Sequence, residues 1–89
     1  MTEWEEAIAG ALDTLGSGEV VTYGEIAAQA GRPGAARSVG RYLSASGGAH
    51  PWWRVVTSTG RLIPGHESEQ AKKLRAEGVA VAANRVVRR

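Results

Sequence analysis

Trp4, Ile8, Leu12 and Leu15 recur three or four residues apart, the spacing that lines up apolar side chains on one helix face. Ahead of them, Thr2-Glu3-Trp4-Glu5 sets a side-chain oxygen three residues before a glutamate, the pattern of a capping box. Gly16 supplies a stop, so the spacing predicts a first helix over about residues 3–15. Gly16-Ser17-Gly18 then reads as a turn and Val20-Val21 as a short extended stretch. Thr22-Tyr23-Gly24-Glu25 repeats the capping-box pattern and opens a short second helix that runs to Gly31. Arg32-Pro33-Gly34 is a tight turn, with Pro33 suited to a first helical position. A third helix is predicted from about Gly34 to Ser44, with Ala36, Val39 and Leu43 inward and Arg37, Ser38 and Arg41 outward. Two short helices joined by a glycine-containing turn make a helix-turn-helix.

Beyond the third helix the pattern changes. Ser44-Ala45-Ser46-Gly47-Gly48 is a flexible loop leading to Pro51. Trp53-Arg54-Val55-Val56 and Arg61-Leu62-Ile63 flank Thr57-Ser58-Thr59-Gly60, which predicts a β-hairpin ended by Pro64-Gly65-His66. Residues 68–77 read as a last helix closed by Gly78. The stretch from Val79 to Arg89 leaves room for one more strand and ends in basic residues expected to be mobile. No repeat or low-complexity tract interrupts these elements.

Eighty-nine residues make one small domain. The absence of cysteine excludes a disulfide framework and a thiolate zinc site, and two histidines alone argue against a metal cluster. No apolar run approaches the roughly 20 residues that span a bilayer, and no signal peptide opens the chain. The expectation is an intracellular soluble domain, cytoplasmic or in the nucleoid or nucleus, monomeric, without membrane contact and without cofactor. Charge changes the picture more. Residues 1–31 hold six acids and no Lys or Arg, a net of −6, whereas residues 32–89 hold all 11 basic residues and three acids, a net of +8. Residues 32–66 contain five arginines and no acid. Such segregation attracts a polyanion to one side of a small protein, and nucleic acid is the natural candidate.

The pentapeptide Pro51-Trp52-Trp53-Arg54-Val55 resembles the Pro-Cys-His-Arg-Val active-site motif of the O6-alkylguanine-DNA alkyltransferases. Four blocks carry the resemblance in order: residues 21–27 (Val-Thr-Tyr-Gly-Glu-Ile-Ala), residues 32–40 (Arg-Pro-Gly-Ala-Ala-Arg-Ser-Val-Gly), Pro51 to Val56 with Ser58 and Gly60, and residues 74–78 (Leu-Arg-Ala-Glu-Gly). Together they cover roughly residues 3–80, with a slightly shorter loop between the second and third blocks than in the transferases. Trp52 stands where the family's nucleophilic cysteine stands, and Trp53 where its activating histidine stands. An indole nitrogen is a donor with no available lone pair, so it cannot accept an alkyl group as the thiolate does. The pattern therefore resembles the alkyltransferase-like group, which binds the lesion without repairing it and lacks the separate N-terminal domain of many transferases.

The resemblance implies a mainly α fold with a small β-hairpin, a winged-helix-like, helix-turn-helix DNA-binding domain over residues 1–80, followed by a basic tail over 81–89. The implied partner is double-stranded DNA containing O6-alkylguanine. The implied role is to flip the base into a Trp-lined pocket and flag it to nucleotide excision repair proteins. Arg37 matches the arginine finger that fills the space of a flipped nucleotide, a role a planar cation suits. Tyr23 matches the tyrosine that crowds the neighbouring phosphate. Thr22, Ala36, Ser38, Gly40, Arg41 and Ser58 complete the implied DNA contacts, the small residues of the third helix allowing close approach to the sugars. The implied lesion pocket is Tyr23, Pro51, Trp52 and Trp53, with Arg61, or alternatively His66, as a basic grip. Arg54 is implied to be structural, and Glu77, matching a glutamate of the thiol-activating network, to be left without its partner. No catalytic and no metal-binding residue is implied.

Two other classes stay open on the residues alone. A transcription regulator would use the helix-turn-helix on undamaged DNA, since a basic helix in that motif more often reads the major groove. An enzyme with another nucleophile would have to use Ser58, Thr57 or Glu77, and no His-Asp pair or metal cluster accompanies them.

Overall fold

The computed structural model describes residues 2–87. Helix α1 spans Glu3–Asp13, and its capping box is complete: the Thr2 hydroxyl accepts from the Glu5 N–H at 3.1 Å while the Glu5 carboxylate accepts from the Thr2 N–H at 3.0 Å. The same exchange between Thr22 and Glu25 starts α2, Tyr23–Gln29. Helices α3 and α4 span Ala36–Ala45 and Glu67–Ala76. Pro33 does not open α3 as expected. Gly34 takes φ +92°, a left-handed turn conformation that glycine adopts without steric cost, and the helix begins two residues later. No helix among the described residues is long and apolar enough to cross a membrane.

The hairpin predicted across residues 53–63 does not form. Trp52–Arg54 make one 3-10 turn, and strand β2 (Val55–Val56) then pairs parallel with β1 (Val21–Thr22), Val21 opposite Val55. The turn at 57–61 closes, with the Thr57 N–H on the Arg61 carbonyl at 3.0 Å, but its return limb pairs elsewhere. The Leu62 N–H donates to the Asn84 carbonyl and the Val86 N–H to the Gly60 carbonyl, both at 2.9 Å. A hairpin does form downstream, from β3 (Val81–Ala82) and β4 (Arg85–Val86), around Ala83 and Asn84 at φ 52° and 59°. Positive φ at both central residues is the mark of the tight turn that matches strand twist. Residues 81–86, expected to begin a basic tail, are thus folded onto the domain. Arg88 and Arg89 lie outside the described residues.

Burial explains the changed pairing. Val55 and Val56 are both fully buried, although successive strand residues point to opposite faces. Val55 enters one core with Ile8, Leu12, Ile26, Val39 and Leu43 from α1, α2 and α3. Val56 enters a second core with Leu62, Ala71 and Leu74. A solvent-faced hairpin would have left one of the valines wet; between two cores neither is. Gln70 of α4, fully buried, supplies what the other edge of β2 lacks. Its Nε2 donates to the Trp53 and Val55 carbonyls at 3.1 and 2.9 Å, and its Oε1 accepts from the Ile63 N–H at 2.7 Å. Buried backbone groups require such partners, and here a side chain provides them.

Candidate nucleic-acid interface

Helix α3 is fixed by Val39 and Leu43, both buried, and so presents Arg37 and Arg41 to solvent one turn apart. Ser38, expected to point outward, is half-buried, and its hydroxyl accepts from the Trp4 Nε1–H of α1 at 3.1 Å. That bond ties the exposed helix to α1. Ala36 is half-buried, and Thr22 spends its hydroxyl on the α2 cap. Ser58 is exposed in the 57–60 turn.

Beside α3 lies an open cavity of about 280 Å³. Tyr23, Gly40, Leu43, Trp52 and the loop glycines Gly47 and Gly48 line it. Ser44, Ile63, His66 and Glu69 complete it, and the His66 ring meets Trp52 edge-on at 5.8 Å between centroids. Burial pushes the Tyr23 phenol above its ordinary pKa, so it stays a neutral donor. The end of the glycine loop is anchored by His50, whose Nδ1 meets Asp13 of α1 at 2.9 Å and whose Nε2 meets the Tyr42 hydroxyl of α3 at 3.0 Å. Of the pocket residues expected from the sequence, Tyr23 and Trp52 line this cavity, while Pro51, Trp53 and Arg61 do not. Arg61 is exposed, and its backbone forms an antiparallel β-bridge with that of Arg85. His66, the alternative to Arg61, does line it. Ser44 and Glu69 gave no motif that would single them out from sequence.

Trp53 has a different position. Its ring stands perpendicular to Trp52, at 88° and 6.3 Å, so the neighbouring indoles pack against different cores. The Trp53 Nε1–H donates to Glu77 Oε2 at 2.8 Å. Glu77 is therefore not without partners. Arg54 donates to both its oxygens at 3.0 and 2.7 Å, and the Gly18 N–H reaches Oε1 at 2.8 Å. Arg54 also donates to the Leu15 carbonyl at 2.8 Å, and its guanidinium lies 5.2 Å from the centre of the Trp53 ring, with the Lys73 ammonium at 4.9 Å. Trp53 keeps the donor that joins the Pro51 segment to α4 while offering no basic nitrogen.

The Arg54 hydrogen bonds, helped by Gly18 and Trp53, hold the Glu77 carboxyl down to about 2. A depressed carboxyl stabilises the fold above its unfolded pKa, and that stabilisation is lost as pH falls through the folded value. Stability carried by Glu77 is accordingly expected to be constant above about pH 5 and to drain between about 4.5 and 2. A carboxyl-carbon NMR titration of the folded protein checks this; a Glu77 midpoint near 4 would contradict it. Among the described residues no group of three His, Cys, Asp or Glu side chains is placed to hold a metal, and the sequence contains no cysteine.

Residues 3–79 match the family model of the 6-O-methylguanine DNA methyltransferase DNA-binding domain. The chain belongs to that family. This methyltransferase-family domain is 40% identical over 86 residues to a DNA base-flipping protein of Vibrio parahaemolyticus, covering 92% of the chain and 86% of the relative. It is 36% identical to alkyltransferase-like protein 1 of Schizosaccharomyces pombe, covering 91% of the chain and 81% of the relative. The crystal structure of S. pombe Atl1 in complex with damaged DNA containing O6-carboxymethylguanine superposes with a TM-score of 0.81 at 34% identity, over 92% of this chain and 82% of that one. The expected fold, helices with a small β component, is therefore the family's own.

Proposed function

We propose that this methyltransferase-family domain is a non-enzymatic sensor of O6-alkylguanine in duplex DNA. It binds the duplex through α3, rotates the damaged nucleotide out of the stack, holds the base beside Trp52, and flags the site for nucleotide excision repair. The observation that carries the reading is the cavity beside α3 with the Trp52 indole in its lining. Its volume of about 280 Å³ lies near the lower end of the usual ligand-pocket range of about 300–1,000 Å³, a size suited to a single base. An indole offers a broad apolar face to a purine and its alkyl group. Arg37, exposed on the same helix, supplies a planar cation to occupy the vacated stack, and Tyr23, in the cavity lining, crowds the adjoining phosphate. The names and complexes of the relatives support the same reading.

The chain has no thiol to accept an alkyl group, and Trp53 faces Glu77 with a donor only. Incubation with methylated DNA is expected to leave the protein mass unchanged; a gain of about 14 Da, one methyl replacing a hydrogen, would refute the non-enzymatic reading. The direct test is binding to two duplexes that differ only in O6-methylguanine against guanine, at near-physiological salt, followed by tryptophan fluorescence. The expected result is a preference of at least about tenfold, or roughly 1.4 kcal/mol, for the lesion, with quenching. Equal affinity would instead favour a helix-turn-helix regulator of undamaged DNA.

A further inference from the structure

The charge of the cavity lining has a consequence for which lesions it takes. Its apolar surface comes from Leu43, Trp52 and Ile63, and Gly40, Gly47 and Gly48 contribute no side chains. Its polar side chains are those of Tyr23, Ser44, His66 and Glu69. Among the described residues no lysine or arginine lines it, and Arg37 and Arg41 lie on the exposed face of α3 outside it. Glu69 thus brings a carboxylate into a site whose only other ionisable groups are a phenol raised by burial and the His66 imidazole.

We infer that Glu69 is a specificity-determining residue that makes this cavity select neutral O6-alkyl groups over anionic ones such as carboxymethyl. The inference rests on the sensor reading above. A sphere of 280 Å³ is about 8 Å across, no more than the Debye length of about 8 Å at physiological ionic strength. An anion held inside therefore lies within about one Debye length of the Glu69 carboxylate, which is itself exposed, so salt and solvent reduce the repulsion without abolishing it. Partial solvation keeps the repulsion modest, and it weakens binding by about three- to tenfold. A methyl or larger uncharged group meets the Trp52, Leu43 and Ile63 surfaces and escapes this penalty.

The test uses duplexes containing guanine, O6-methylguanine, O6-carboxymethylguanine, or the neutral amide of the carboxymethyl group, which matches it in size. All duplexes are compared at one pH and one ionic strength, so that the charge of the adduct is the variable. The expected result is that the carboxymethyl duplex binds about three- to tenfold more weakly than its amide, and that Glu69→Gln closes this gap. Because the variant's extra positive charge strengthens binding to every duplex, the ratio of the two adducts is the readout. Carboxymethyl binding equal to or tighter than the amide in the parent protein, or a gap that survives in Glu69→Gln, overturns the inference while methyl-over-guanine preference leaves the sensor reading intact. If no adduct outcompetes guanine, the sensor reading fails and takes the inference with it.

Discussion

Glu77→Ala is expected to cost about 3–5 kcal/mol, a large share of the roughly 5–15 kcal/mol that holds a small domain folded. One carboxylate accepts from Arg54, Trp53 and Gly18. Its removal leaves a guanidinium, whose side chain is 15% exposed, without its counter-ion. The loss also severs a link across 59 positions, from the turn after α1 to the end of α4. Urea unfolding at pH 7, followed by fluorescence, measures the cost, and a loss under about 1 kcal/mol would show the network to be dispensable. Trp53→His, which retains a donor toward Glu77, is expected to lose less than Glu77→Ala on the same measurement.

The second large effect is on recognition. Arg37→Ala is expected to weaken binding to an O6-methylguanine duplex by about 30- to 100-fold, roughly 2–3 kcal/mol, and to a guanine duplex by no more than about fivefold. The asymmetry separates two roles for one exposed side chain. An arginine that fills the gap left by a rotated nucleotide matters only when the nucleotide rotates. An arginine that neutralises phosphate matters on every duplex and in proportion to the salt slope. Arg41→Ala, one turn along the same face, provides the comparison and is expected to weaken both duplexes alike. Equal losses for Arg37→Ala on the two duplexes would reassign it to phosphate contact.

What the chain reveals before folding follows the range of its signals. Both capping boxes are local, a threonine and a glutamate three residues apart, and both form as written. Helix limits fall within about two residues of expectation because apolar spacing, caps and glycines agree. Blocks of residues around Tyr23, Arg37 and Trp52 identify the family, and Tyr23 and Trp52 meet in one cavity. Strand pairing is the part that misleads. Val55-Val56 is too short for alternation to be read, and its partner Val21 lies far off in sequence. The Gln70 bonds, the Trp4–Ser38 contact and the Trp53–Glu77 link are likewise long-range, and no local pattern announces them. Glu69 reads as an ordinary helix-surface acid until Trp52 and Ile63 are seen beside it.

The two valines of β2 bear on how this chain tolerates changes of length. Val55 belongs to one core and Val56 to the other, and a shift of one residue in a strand turns every side chain to the opposite face. A single insertion or deletion between Trp52 and Val56 would push each valine toward the wrong interior and rotate the indoles with them. The segment behaves as a strut of fixed length: Trp52 is set at one end of a rod gripped from both sides. The glycine loop that also lines the cavity is not a strand held between two cores, so variation in reach belongs there.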